Sequence, residues 1–238
     1  MMVGKNVKIS VIIPALNEEA YIRNAFDGLR DQDFRDFEII VVDGGSNDRT
    51  REIARKHAKV VVLRKIGAGR ARNLGARLAK GNILLFIDAD TRPAKGLLRT
   101  YSNIMKDRSI AAVTGPILPL EKAGAHFILG YALVSILFVR LSILVGRPSF
   151  MGSNFAVRRK AFRNVHGFVE RMMTYEDWDL SNRLKRQGRM VYSGKALVHT
   201  SVRRVKKWGM LRYFAYYVVN IFRYHVWNDS NKTYKPIR

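Results

Sequence analysis

The sequence predicts an α/β fold, a doubly wound and mainly parallel sheet with flanking helices. Three observations carry this. Short β-branched runs alternate with helix-length stretches through the first half of the chain, the order of successive βαβ units. The runs are almost continuously apolar, as strands are when both sheet faces are covered. Acidic and small residues follow several of the runs, where ligands bind in open parallel sheets.

In chain order, the expected strands are KISVIIP (8–14), FEIIVVD (37–43), KVVVLR (59–64), NILLFID (82–88) and IAAVTG (110–115). Helical patterns fall between them at 18–31, 48–57, 69–79 and 94–106. The texture then changes. Residues 123–139 hold no Lys, Arg, Asp or Glu, and after Arg140 the apolar character resumes to Gly146. A bilayer-spanning helix needs about 20 mainly apolar residues, so AHFILGYALVSILFVRLSILV is borderline. Ser135 and Ser142 share one helical face while Arg140 projects elsewhere, leaving no clean polar stripe. We read 123–146 as a membrane-interfacial or partly inserted helix, ahead of a buried core helix and a full span. Polar, basic stretches follow, then a strand-like MVYSGKALVHT. From Arg203 onward, cations are interleaved with Trp208, Tyr213, Phe214, Tyr216, Tyr217, Phe222, Tyr224 and Trp227, a mixture suited to a membrane interface. The expected organisation is one domain over 1–200 and a basic aromatic extension over 201–238.

The 238 residues supply a sizeable core. The absence of cysteine excludes disulfides, zinc–thiolate sites and thiol nucleophiles. The net charge of +24 implies an anionic partner, whether nucleic acid, an acidic membrane surface or a phosphorylated substrate. The excess is clustered: 200–238 carries nine Lys and Arg against the single acid Asp229. The N-terminal MMVGKNVKISVIIPALNEE lacks the pattern of a secretory signal, and the cytoplasmic side of a membrane is expected.

Three of the expected strands end in a set of polar residues. The first runs into Pro14-Ala15-Leu16-Asn17-Glu18, the second into Asp43-Gly44-Gly45-Ser46-Asn47-Asp48, and the fourth into Asp88-Ala89-Asp90. Singly, Ser46, Asp48, Asp90 or Thr91 reads as a helix cap; together, at one sheet edge, they read as a binding site. Residues two apart on a strand point the same way, so Asp88 and Asp90 are expected to face one small volume, where a divalent cation relieves their repulsion. Oxygen ligands select Mg²⁺ or Mn²⁺, which commonly bridge to substrate phosphates, so a nucleotide diphosphate is implied. Arg70, Arg72 and Asn73 open a helix, a favourable place for phosphate. Gly67-Ala68-Gly69 has Arg72 where a dinucleotide fingerprint needs glycine, and no GxxxxGK[ST] occurs, which argues against Rossmann and P-loop sites.

Taken together, VIIPALNEEAYI, IIVVDGGSNDRT, GAGRARNLGARLAKGNILLFIDADT, GSNFAVRRKAF and YEDWDLSNRLKRQG resemble a family 2 glycosyltransferase of the GT-A fold, over about Lys8 to His199. The resemblance implies transfer of a sugar, with inversion, from a UDP- or GDP-sugar donor. It implies that Pro14, Asn17 or Glu18, and Asp43 hold base and ribose, that Arg72 reaches the base or diphosphate, and that Asp88 meets the ribose. Asp90 would ligate Mn²⁺ or Mg²⁺, with His199 a further candidate ligand. Asp177, beside Glu176, matches the general base, and Gly152, Ser153 and Asn154 would lie near sugar and acceptor. The run Arg204-Val205-Lys206-Lys207-Trp208 lacks the glutamine of the QxxRW motif of processive synthases, which argues against processivity.

The leading expectation is thus a membrane-associated glycosyltransferase with a lipid-linked, polyprenyl-phosphate-like acceptor and an anionic membrane surface as partner, and no nucleic acid. A sugar nucleotidyltransferase would carry a Gly-rich basic loop after the first strand, where this chain has the acidic PALNEEAY. A polyanion-binding module would explain the charge but not the acids gathered at strand ends.

Overall fold

A computed structural model describes residues 8–63, 67–122, 124–172, 174–209 and 212. The aromatic positions expected to meet a membrane from Tyr213 to Trp227 lie outside these described residues.

The chain opens with β1 (Ile9–Ala15), α1 (Ile22–Arg30), β2 (Phe37–Asp43), α2 (Thr50–Arg55), β3 (Lys59–Val62), α3 (Ala68–Leu78) and β4 (Ile83–Phe86). It continues through β5 (Thr91–Pro93), α4 (Leu97–Ile104), β6 (Ile110–Thr114), β7 (Ile117–Pro119) and α5 (Ala125–Leu144). Among the described residues it then forms β8 (Phe155–Arg158), α6 (Arg159–Asn164), α7 (Glu176–Leu184), β9 (Arg189–Tyr192), β10 (Val198–Thr200) and α8 (Arg203–Trp208). The main sheet has the order β3-β2-β1-β4-β8-β6-β9, and a smaller one has the order β5-β10-β7. In the main sheet only β8 runs antiparallel to its neighbours, β4 and β6.

The apolar strand runs arise from cover on both faces. Along β1, Val11 and Ile13 enter a core with Phe26, Leu29, Leu98 and Tyr101. Ile12, between them, enters a second core with Ala71, Phe86, Phe162 and Leu180. In β4, Leu85 joins the first core, and Leu84 and Phe86 join the second. This alternation follows the two-residue period of a strand.

Two expectations about β4 change. It ends at Phe86, and Asp88-Ala89-Asp90 forms a turn closed by the Thr91 N–H donating to the Asp88 carbonyl at 3.1 Å. The acids are therefore brought together by a turn rather than by strand alternation. Asp90 and Thr91 do not cap α4 either, because β5 intervenes and Gly96 occupies the cap position. The strand-like 190–200 region divides into β9, on the main sheet, and β10, on the small one. The pairing of Thr91 with Thr200 then carries the chain back to the DxD turn.

Strand order reverses on either side of β1, between β2 and β4. In open α/β sheets the ligand-binding crevice lies beyond the strand ends at such a switch point, and the ends of β1, β2 and β4 carry the polar set from the sequence.

Candidate functional site

The crevice is built around two arginines. Arg72, on α3, is almost fully buried, and its guanidinium donates to Asp88 at 2.7 Å and to Glu176 at 2.9 Å. It also stacks over Phe168, with the guanidinium carbon 5.5 Å from the ring centroid. Burial works against its charge, but Asp88, Glu176 and Asp177 outweigh that cost and raise its pKa. Among the described residues its Nε has no hydrogen-bond partner, a costly arrangement for an enclosed donor. Gly152 makes room for this group, since a Cβ there would lie 2.5 Å from Nη2 of Arg72.

Arg203, at the start of α8, donates to both carboxylate oxygens of Glu18 at 2.8 and 2.6 Å and approaches Asp90 at 3.2 Å. Its guanidinium also covers the Tyr21 ring at 4.7 Å. Asp90 is pushed up to about 7, mainly by burial and then by the neighbouring Asp88 charge, with Arg203 opposing the shift. The main chain secures the same corner, where the Ser201 N–H donates to the Asp90 carbonyl at 3.1 Å.

The β1 and β2 ends are tied into one platform. Asp43 is fully buried and accepts from the Gly45 and Ser46 N–H groups at 3.0 and 2.9 Å and from the Ser46 hydroxyl. Asn17, at a positive φ of 54°, receives the Asn47 N–H on its side-chain oxygen at 2.8 Å and donates its own N–H to Ser46 at 2.9 Å. The Glu18 N–H donates to the Thr50 hydroxyl at 2.7 Å. Asp48 lies one residue before the Arg49 cap position of α2 and accepts from the Thr50 N–H at 3.0 Å. Pro14 is the half-buried penultimate residue of β1.

Asp177 lies in the first turn of α7, which a left-handed Tyr175 (φ 64°) introduces. Its carboxylate accepts from the Gly152 N–H at 2.9 Å and the Trp178 N–H at 2.8 Å. Burial and the adjacent Glu176 push it up to about 6, while Arg72 and the two N–H bonds restrain the rise. A carboxylate tuned this way is ionised at neutral pH yet basic enough to take a proton. Glu176 has a separate task, as the partner of Arg72.

Other sequence-selected residues are placed differently. Asn154 is fully buried and bonds to the Pro116 and Ala196 carbonyls at 3.3 and 2.8 Å and to the Tyr101 hydroxyl. Its amide holds β6–β8 to the small sheet and does not face the crevice, whereas the preceding Ser153 is half-exposed. On β10 it is Thr200 whose hydroxyl reaches Asp90, at 3.3 Å, and Thr91, at 2.9 Å. The strand period turns His199 to the opposite side, where burial and Arg92 lower its pKa. Asn73 bonds the Phe168 backbone, and Arg70 pairs with Glu170 at 3.6 Å. Both therefore brace the 168–170 loop.

Among the described residues, no group of three or more His, Asp or Glu side chains forms a ready-made metal cage. The donor set still fits a hard divalent cation held in part by the substrate. Asp88 and Asp90 offer only oxygen, and such ions are commonly held by one or two carboxylates plus substrate phosphates.

Arg203 and Thr200 were missed by sequence reasoning. They lie more than a hundred residues after the DxD turn, and only the β5–β10 pairing brings them to it.

Comparison with known proteins matches residues 10–165 to the model of Glycosyl transferase family 2. The O-antigen chain rhamnosyltransferase RfbN of Salmonella typhimurium is 27% identical over 226 residues, covering 87% of this chain and 71% of that protein. The poly(ribitol-phosphate) beta-N-acetylglucosaminyltransferase TarS of Staphylococcus aureus is 37% identical over 93 residues, 35% of this chain and only 16% of TarS. The crystal structure of TarS 1–349 superposes with a TM-score of 0.68 at 24% identity, covering 82% of this chain and 60% of that one. The mannosyltransferase PcManGT from Pyrobaculum calidifontis, in complex with GDP-Man and Mn²⁺, gives 0.66 at 20% identity, covering 89% and 64%. These structural likenesses show the fold.

Proposed function

The chain belongs to glycosyltransferase family 2, and we propose that it moves a sugar, with inversion, from a nucleotide-diphosphate donor to a hydroxyl of a lipid-linked acceptor at the cytoplasmic face of a membrane. Among the readings open from the sequence, family membership selects the transferase. The observation that carries the mechanism is Asp177, an enclosed carboxylate held by two backbone N–H groups and poised at about 6.

In this reading the base and ribose lie on the platform of Pro14, Asn17, Glu18 and Asp43, with Asp88 at the ribose. Arg72 offers positive charge to the diphosphate, which its unpartnered Nε supports. Mn²⁺ or Mg²⁺ would be held by Asp90, and when bound it would stabilise negative charge on the leaving group. Asp177 orients the acceptor hydroxyl and takes its proton as that oxygen bonds to the anomeric carbon. The bond from that carbon to the diphosphate oxygen breaks with its electron pair, and the nucleoside diphosphate leaves. One base and one displacement invert the anomeric centre. TarS, whose structure includes a complex with UDP-GlcNAc, and PcManGT, with GDP-Man and Mn²⁺, supply the analogy for donor and metal.

A thermal-shift panel of UDP- and GDP-sugars, with and without Mn²⁺, tests the donor. The true donor stabilises the fold as RT ln(1 + [L]/Kd), so at about a hundred times Kd the gain is ~2.7 kcal/mol. If no nucleotide sugar raises the melting temperature, with or without metal, the proposal fails. Anomeric analysis of the transfer product by NMR then tests inversion.

A further inference from the structure

Helix α5 is apolar on every side, yet only Val139 and Ser142 are buried among residues 127–144. Such all-round apolar helices belong in a core or a membrane. Its inner side packs on β7 and β9, places Phe138 6.3 Å from the Trp178 ring, and turns Ser142 inward to accept the Ser149 N–H at 2.9 Å. The outer side presents Leu129, Leu133, Leu137, Leu141 and Leu144, from 46% to 80% exposed. These positions recur every three or four residues, so they form one continuous stripe, with the exposed Arg140 beside it.

A full span is excluded by the chain path. Ile117 of β7, before the helix, and Ala156 of β8, after it, enter the same core. One crossing would leave its ends on opposite sides of a hydrocarbon layer about 30 Å thick. The returning segment cannot make up that distance, since Ser149, Phe150 and Asn154 are buried in the domain.

Charge identifies what covers the stripe. No Asp or Glu occurs between Glu121 and Glu170, while Lys122 precedes the helix, Arg140 lies on it and Arg147 follows it. Basic α8, with exposed Lys206 and Lys207, is fastened beside the entrance to α5, where Glu121 accepts from the Ser201 hydroxyl and from the Val202 N–H. We propose that α5 lies in the plane of an anionic bilayer, its leucine stripe immersed among the acyl chains and its basic flanks on the headgroups. Trp178, which contacts α5, directly follows Asp177, so docking sets the height of the candidate base above the lipid. This deepens the lipid-linked acceptor reading.

The test is partition of the full chain onto vesicles of phosphatidylcholine with and without phosphatidylglycerol, read with no donor present. Failure here therefore leaves the transferase reading standing, and failure of transfer leaves docking standing. Binding is expected on the anionic vesicles, falling as salt is added. Leu133→Glu/Leu141→Glu is expected to weaken it on the order of a hundredfold, with circular dichroism and the nucleotide-sugar thermal shift unchanged. The chain has no cysteine, so Leu137→Cys gives a single site for a fluorophore, and shallow quenchers should act on it more strongly than bilayer-centre quenchers. Absence of vesicle binding, equal binding by the double variant, or stronger quenching from the bilayer centre overturns the proposal. So does a dimer, seen by light scattering, that the same substitutions dissolve while vesicles bind neither protein; that outcome assigns the stripe to a second copy of the chain.

Discussion

Replacing Asp177 by Asn should raise stability while abolishing most of the activity. The folded carboxylate is raised from 3.8 to about 6, so it disfavours the folded state once ionised. Below pH 4 both folded and unfolded forms hold the proton and nothing is lost. Between pH 4 and 6 the unfolded chain releases it first, so stability falls as pH rises, and above 6 the full cost applies. Roughly two pKa units at 1.36 kcal/mol each give about 3 kcal/mol. Asn keeps one acceptor for the Gly152 or Trp178 N–H and leaves the other short, which returns about 1 kcal/mol. The net gain is about 2 kcal/mol at pH 8, or roughly 4–8 °C for a domain of this size, and near pH 4, where the ionisation cost is gone, it should turn into a loss of about 1 kcal/mol. Transfer should fall about 10²–10⁴-fold, and wild-type kcat/KM should rise with pH through about 6. Thermal melts of both proteins at pH 4 and 8, alongside transfer assays, check this. An Asn variant that is less stable at pH 8, or that keeps full activity, would refute the reasoning.

Other substitutions separate framework from chemistry. Asn154→Ala should cost about 3 kcal/mol or more by stranding buried partners, while the enzyme that folds keeps its donor affinity; urea unfolding and donor titration show both. Gly152→Ala should push the Arg72 guanidinium off Asp88 and raise the donor KM about tenfold, with a smaller effect on melting temperature. Asp90→Asn should remove the Mn²⁺-dependent part of the donor thermal shift and leave the metal-free part, and a variant that retains the full metal effect would exclude Asp90 as ligand.

The elements legible in the sequence were those with local signals. Phe37–Asp43 shows as a strand because its run is apolar and its end polar, and α3 shows through its spacing. The short strands β5, β7 and β8 were not legible. Three or four residues carry little periodicity, and β8 sits in a polar, basic stretch whose apolar residues matter only once β4 and β6 flank it. At the candidate site, clustering after strand ends brought Asn17, Asp43, Asp88 and Asp90 to notice. Position along the chain could not separate His199 from Thr200, because facing depends on register. Nor could it show that Asn154 is enclosed, since an amide reads alike in a loop and in a core.

The late return of the chain also orders events during synthesis. Thr200, Ser201 and Arg203 complete a corner whose acids, Glu18 and Asp90, emerge from the ribosome far earlier. Until β10 pairs with β5, those carboxylates have no guanidinium between them and repel. A nascent chain halted before residue 203 should therefore be unable to retain donor, however well its first sheet has formed. Sugar transfer would begin only once residue 203 has emerged and docked, after α5 has already had time to find its surface.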